Sequence, residues 1–249
     1  MRRMLVEALR FLCESDRAID ALLSVVGGRR CFYSSKGQDR WVLTRLNHRR
    51  GGYFVEVGGG DGRTHSNTYV LERDYGWTGV VVEANPYYIP ALRRHRTCHC
   101  IQCCVDSHVG EVDFFRFGFV GGIVASDTDN SPQKRDEVLD RHRGELTRMQ
   151  AIPLNEVLVS VGAPAVIDYL SLDVEGAEYR VLKGIDFCRF RFDLVTVERP
   201  TAEVHRLLRN AGYVLDKVWR YDGFYVSHKM AFRLGIDSLQ FGGMRPKSF

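Results

Sequence analysis

Five acidic residues stand where apolar runs of this 249-residue chain stop. Glu83 closes Gly79-Val80-Val81-Val82-Glu83. Asp106 follows the run 98–105, Asp173 and Glu175 follow Val166–Leu172, and Glu198 closes the run 193–198. Another acid, Glu56, lies inside Phe54-Val55-Glu56-Val57, which leads into glycines at alternate positions, Gly58, Gly60 and Gly62, with Asp61 among them. Glycine is needed where backbone turns sharply and must approach a ligand with no Cβ in the way. A carboxylate ending the second strand of such a unit is placed to accept both hydroxyls of a ribose. One such acid alone reads more simply as a helix cap. Four strand ends carrying acids converge on one crevice in an open α/β sheet, where ligands bind.

The phosphate question separates nucleoside classes. A dinucleotide site takes G-x-G-x-x-G, its last glycine opening a helix whose N-terminus holds pyrophosphate. Counted from Gly58, that glycine falls at Arg63; the chain has it one residue early, at Gly62. Glu56 inside an E-x-G-x-G-x-G arrangement suits a ligand with a positive amino group and no phosphate. S-adenosylmethionine fits: adenosine, a sulfonium and an α-amino acid. A purely structural turn and a dinucleotide site are the alternatives. On this reading Glu83 binds the ribose. Asp106 reaches the adenine amino group while Cys104 and Val105 line the ring. Glu56 and the Gly58–Gly62 backbone hold the amino-acid end, and Asp173 lies nearest the methyl group.

The elements that must position these residues alternate. Helices are predicted over 3–26 and 36–48, a strand over 53–58, then the glycine loop and a helix near 66–75. Strand 79–83 precedes a helix starting at Pro86, a favoured first helical position. A third strand, 98–105, turns at 107–110 into a hairpin with 111–117. Residues 118–150 break the pattern with glycines, a Ser126–Pro132 polar run and a charged stretch, and read as a substrate lid or a surface loop. Order returns with a helix from Pro153 to Val161, strand 166–172, a helix ending at Lys183-Gly184, strand 193–198 and helix 202–211. The runs 213–219 and 223–229 form an antiparallel pair. The expected fold is α/β: about seven strands in a mostly parallel sheet with helices on both faces. Residues 1–50 are expected to form an N-terminal helical extension and 51–249 the domain proper.

Composition excludes other classes. Hydrophobic content of 45% is ordinary, and a net charge of +4 with interspersed signs is weak for a nucleic-acid binder. The clusters His48-Arg49-Arg50 and Arg93-Arg94-His95-Arg96 read as solvated helix ends or loops. No apolar run is long enough to span a membrane. Cys98, Cys100, Cys103 and Cys104 with His99 lack the separated second ligand pair of a zinc site, and read as small hydrophobes in a strand. Reduced thiols imply an intracellular, cytoplasmic setting.

These residues resemble the FkbM family of S-adenosylmethionine-dependent methyltransferases. The matching segments are Tyr33-Ser34-Ser35-Lys36-Gly37-Gln38-Asp39, Phe54–Gly58, Ser66-Asn67-Thr68, Leu71-Glu72 and Gly76–Gly79. Val82-Glu83-Ala84-Asn85-Pro86, Leu172–Glu178 and Val197-Glu198 complete them. The family's usual Val-Gly-Ala is Val57-Gly58-Gly59 here, its Glu-Pro-Asn-Pro is Glu83-Ala84-Asn85-Pro86, and its Glu-His-Asn is Glu198-Arg199-Pro200. The resemblance implies a class I methyltransferase-like Rossmann fold and O-methylation of a hydroxyl on a sugar, glycan or other hydroxylated small molecule. It adds Gln38, Asn67 and Ala84 to the cofactor residues. An acceptor hydroxyl must lose its proton, to a carboxylate among Asp173, Glu175 and Glu198, or through a divalent ion, Mg2+ or Mn2+, shared by Asp173 and Glu198. Two other classes compete. The basic clusters with Trp41, Trp77 and Trp219 suit a nucleic-acid or protein methyltransferase, although no Asn-Pro-Pro-Tyr motif is present. A catalytically silent binding module could keep the fold, although the glycine loop, Glu83 and Asp173 are intact.

Overall fold

The computed structural model describes residues 32–133 and 144–236. The helix expected over 3–26 and residues 134–143 of the expected lid lie outside the described residues.

Five parallel strands form the centre of the molecule. They are β1 (Tyr53–Val57), β2 (Thr78–Glu83), β3 (His99–Gln102), β8 (Val166–Leu172) and β9 (Arg191–Val197). The last two strands of the chain, β10 (Tyr213–Trp219) and β11 (Asp222–Ser227), join antiparallel, giving a seven-stranded sheet of order β10-β11-β9-β8-β1-β2-β3. β1 and β2 are valine-rich and buried almost throughout, as strands covered on both faces must be. Alternate residues feed two cores. Val55, Val80, Leu170 and Val195 face α4 (Leu154–Ser160), α5 (Glu178–Lys183) and α6 (Ala202–Asn210). Phe54, Val81, Tyr169 and Leu194 face α1 (Gln38–Arg45), α2 (Tyr69–Tyr75), α3 (Ile89–His95) and α7 (His228–Leu234). The strand order reverses between β1 and β8, which pair directly, so the crevice of an open α/β sheet lies beyond their carboxyl ends.

A second, four-stranded sheet sits beside this one, in the order β4-β7-β5-β6. Its strands are β4 (Cys104–Val105), β5 (Gly110–Arg116), β6 (Gly122–Ile123) and β7 (Glu145–Ile152). This corrects two expectations. The run 98–105 is not one strand: it breaks at Cys103, with β3 at the edge of the main sheet and β4 in the second. Nor do 111–117 fold back on it as a hairpin; β5 pairs instead along its length with β7, Gly110 opposite Ala151 and Arg116 opposite Glu145. The flanks of the expected lid, β5 and β7, are therefore strands, and a short 3-10 turn at Gly118–Val120 leads from β5 into β6.

Smaller differences have local causes. The helix expected from Pro86 starts at Ile89, because Asn85 Oδ1 accepts from the Tyr87 N–H at 3.1 Å and holds 85–88 as a turn. The last strand stops at Ser227, whose side chain caps α7 by accepting from the Met230 N–H. Arg96 is no solvated helix end: it is buried among Glu56, Glu72, Ser66 and Thr68. Among the described residues no helix is long and apolar enough to cross a membrane.

Candidate functional site

The carboxyl ends of β1, β2, β8 and β9 surround a cavity of about 370 Å³, within the range of small-molecule sites. The glycine loop after β1 forms its floor. Gly58 and Gly60 have φ of +87° and +53°. A Cβ on Gly58 would lie 1.8 Å from the Asp173 carbonyl oxygen, and one on Gly59 2.0 Å from Val81 Cγ1. Backbone here packs against the neighbouring strand with no room for a side chain, and the Gly58 and Gly59 N–H groups both donate to the Val82 carbonyl, which fixes the loop.

Glu83 ends β2 beneath this loop. Its Oε2 accepts from the Gly60 N–H at 2.7 Å and its Oε1 from the Asn85 N–H at 2.6 Å. Burial pushes its carboxyl up, while the N–H groups of Asn85, Gly60 and Ala84 pull it back. Glu56, one strand over, reaches the cavity wall with both oxygens engaged. It accepts from Thr68 Oγ1 at 2.6 Å, the Asn67 N–H at 2.7 Å and Ser66 Oγ at about 3.0 Å, and pairs with Arg96 at 3.3 Å. That network fixes the turn before α2 and presents Asn67 to the cavity. Asn67 Nδ2 donates to Ser171 Oγ at 2.8 Å, and its buried Oδ1 is left without a partner in the protein.

On the opposite side lie the acids after β8 and β9. Asp173, Glu175 and Glu198 can bring one oxygen each within 4.8 Å of one another. Burial, then the charges of Glu198 and Glu175 and a hydrogen bond with Glu198, push the Asp173 carboxyl well above the usual range. Burial and Glu198 raise Glu175 to about 7 against the pull of Arg199. Glu178, at the start of α5, closes the turn by accepting from the N–H groups of Val174 at 3.0 Å and Gly176 at 3.3 Å.

The predicted residues divide cleanly. Glu56, Gly58, Gly60, Asn67, Glu83, Ala84, Asp173, Glu175 and Glu198 line the cavity. Asp61, Gly62, Gln38 and Asp106 do not. Asp61 closes its own turn, accepting from the N–H groups of Arg63 and Thr64. Gln38 Nε2 donates to Asp222 at 2.8 Å and so acts one residue removed from the cavity. Asp106 is fully buried against α5, bonded by Arg180 Nε at 3.0 Å and Nη2 at 2.5 Å, and takes no part in the wall that Cys104 and Val105 form. Against the upward push of burial, Arg180 and the Ser107 N–H hold its carboxyl below the usual range.

Several lining residues carried no sequence signal. Asp222 opens β11, is 2% exposed, and turns an unpartnered Oδ1 to the site; burial pushes its carboxyl to about 6. Tyr88 and Phe119 stack with centroids 4.7 Å apart, and the Phe119 edge lies over Gly60, where a Cβ would come within 2.7 Å of it. Neither is foreseeable without knowing that the 118–120 turn folds back over the glycine loop.

The family model for the methyltransferase FkbM domain matches residues 56–215, well over half of the chain. Among curated proteins nothing matches. Of solved structures, the FkbM methyltransferase from Methylobacillus flagellatus KT is 11% identical with a TM-score of 0.41, covering 86% of this chain and 72% of that one. The precorrin-6y C5,15-methyltransferase from Geobacter metallireducens GS-15 is 10% identical with a TM-score of 0.41, covering 80% and 90%. A TehB-like S-adenosylmethionine-dependent methyltransferase from Corynebacterium glutamicum ATCC 13032 is 12% identical with a TM-score of 0.41, covering 83% and 92%. The matched span runs from Glu56 through the glycine loop, Glu83 and the Asp173 turn to the start of β10, and on it the chain belongs to the FkbM family of methyltransferases.

Proposed function

We propose that the cavity binds S-adenosylmethionine and that the protein methylates a hydroxyl of a sugar, glycan or other hydroxylated small molecule. The observation that carries this reading is one cavity with a hydrogen-bonded carboxylate at one end, Glu83, and a carboxyl cluster of raised proton affinity at the other, Asp173 with Glu198.

The residues present fit the cofactor. Glu83 keeps one lone pair on each oxygen after bonding Gly60 and Asn85, enough for two ribose hydroxyls. The Gly58–Gly60 backbone lines the cavity with no side chain standing between it and a ligand. The orphaned oxygens of Asn67 and Asp222 call for donors, which an ammonium group supplies. Cys104 and Val105 offer an apolar wall for a base. When bound, the cofactor supplies a methyl group on a positively charged sulfur.

Everything else is the protein's task. Methyl transfer is an in-line displacement, so the cavity chiefly aligns its two ligands. The acceptor oxygen gains the methyl and gives up its proton. Deprotonated Asp173, with a raised affinity for protons, is the group suited to receive it, and Glu198 orients Asp173. Phe119, stacked on Tyr88, lies over Gly60 of the glycine loop.

The test has two stages. Calorimetric titration with S-adenosylhomocysteine should give one binding site; no binding sinks the reading. A panel of sugars, lipids and RNA with labelled cofactor should then show methyl transfer to a hydroxylated small molecule; transfer to RNA or protein alone refutes the acceptor class.

A further inference from the structure

Asp173, Glu175 and Glu198 have the chemistry of a divalent-ion site, but a cation of the protein's own is already there. Arg199 Nη2 lies 2.9 Å from Glu175 Oε2, 2.9 Å from Glu198 Oε2 and 2.7 Å from Asp129 Oδ2. One nitrogen thus meets carboxylates from three separate segments: the loop after β6, the turn between β8 and α5, and the end of β9.

The backbone fixes this meeting. Arg199 and Glu175 both have left-handed conformations, φ +40° and +55°, which side-chain-bearing residues adopt at a cost. The Asp129 N–H donates to the Glu175 carbonyl at 3.0 Å. Gly176, φ +92°, allows that approach, since a Cβ there would stand 2.4 Å from the Asp129 nitrogen. The loop after β6 is packed on the acidic turn, and the guanidinium closes the seam between them.

A guanidinium supplies a permanent positive charge and donors of fixed geometry. Mg2+ or Mn2+ needs several oxygen ligands in close contact. Arg199 already holds one oxygen of each glutamate at 2.9 Å, so an ion entering the cluster would meet a fixed positive charge, and two cations at one place repel. The donor set therefore does not fit a metal ion while Arg199 stays.

We propose that Arg199 is the resident cation of this cluster, standing in place of a divalent ion, and that it acts as a positioning residue by holding Glu198 as an oriented carboxylate beside Asp173. The orienting role rests on the methyl-transfer reading above. The displacement of metal does not.

The experiment titrates Mn2+ into wild type, Arg199→Ala and Arg199→Lys by calorimetry, with circular dichroism as the check on folding. Wild type and Arg199→Lys should bind no Mn2+ at the cluster at millimolar concentration. Arg199→Ala should gain one site, which a second change, Glu175→Gln, removes. Should Arg199→Ala not fold, Arg199→Gln, neutral but longer, carries the same test. One Mn2+ bound by wild type and abolished by Glu198→Gln would overturn the proposal, as would a folded Arg199→Ala or Arg199→Gln that binds no more Mn2+ than wild type. In parallel, kcat of Arg199→Ala should fall by roughly tenfold or more with KM for the cofactor nearly unchanged, and guanidinium ion or Arg199→Lys should restore it. An unchanged kcat overturns the orienting role. Because Mn2+ uptake needs no acceptor, the expected binding pattern in a protein with no methyl transfer refutes the function while leaving the resident cation in place.

Discussion

Replacing Glu83 with glutamine tests the cofactor reading most directly. The carboxylate has four lone-pair positions. Two are taken by the N–H groups of Gly60 and Asn85, one on each oxygen, which leaves two for the ribose hydroxyls. In Glu83→Gln one oxygen becomes an NH2 group. Whichever way the amide turns, it faces a backbone N–H with a donor and withdraws one ribose acceptor. The side chain is 8% exposed, so water offers little relief. A hydrogen bond to a charged group contributes about 1.5–3 kcal/mol, and an unsatisfied buried donor costs about 1–3 kcal/mol. The first quantity is lost on binding, the second from the free protein. Kd for S-adenosylhomocysteine should therefore rise about 10- to 150-fold, and Tm should drop by several degrees on thermal denaturation. Glu83→Gln that folds with Kd within a factor of two of wild type refutes the ribose assignment. A drop in Tm without a change in Kd would leave Glu83 as a brace for the glycine loop.

Gly58→Ala would drive a methyl group into the Asp173 carbonyl, from a backbone at φ +87°, and is expected to abolish S-adenosylhomocysteine binding and to leave little folded protein in a solubility assay. Asp173→Asn keeps size and removes the proton acceptor, so turnover should fall by at least about 100-fold while calorimetry still shows the cofactor bound. Burial and neighbouring charge raise the Asp173 carboxyl, and Glu175 is raised to about 7, so kcat should decline as falling pH protonates the cluster; a flat profile as pH falls through 7 excludes a carboxylate base. Glu178 is 4% exposed and burial raises it to about 7 from 4.5. Its raised folded-state value means that the fold prefers the neutral form: stability is fully present below 4.5 and is lost as pH rises through 7, by an amount on the order of 3 kcal/mol. Glu178→Gln keeps the Oε1 acceptor for Val174 and Gly176, so its Tm advantage over wild type should widen from pH 5 to pH 8; an advantage that does not grow with pH refutes this account.

The main sheet was legible because its strands announce themselves by chemistry. Valine runs in β1 and β2 and the glycines after Val57 permit few other readings, and Glu83, Asp173 and Glu198 follow from where those strands stop. What escaped depends on contacts between distant segments. Arg96 looked like one more base on a helix end, and only the approach of Glu56 and Glu72 turns it into a buried hub. Asp106 stood at a strand end like the others, but β4 has already left the main sheet, so its carboxylate meets Arg180 instead of the cavity. The pairing of β5 with β7 joins segments separated by the 118–144 insertion, and periodicity along the chain does not encode which distant strand is the partner. Asp222 entered the site through β11 lying against β9, an antiparallel insertion that no local motif marks.

The break at Cys103 divides the protein's evolutionary freedom. On one side of that single residue the chain belongs to the sheet that carries the glycine loop and Glu83; on the other it belongs to the sheet that supplies Phe114, Gly122 and Ile123 to the cavity wall. Lengthening or recomposing the β5–β7 connection alters that wall without shifting the register of β1 against β2 or β8. One insertion can therefore change what the cavity recognises while the main sheet keeps its register, and a chimera exchanging residues 110–152 would have to keep Phe119 over Gly60 and Asp129 against Glu175 to transplant one specificity onto another.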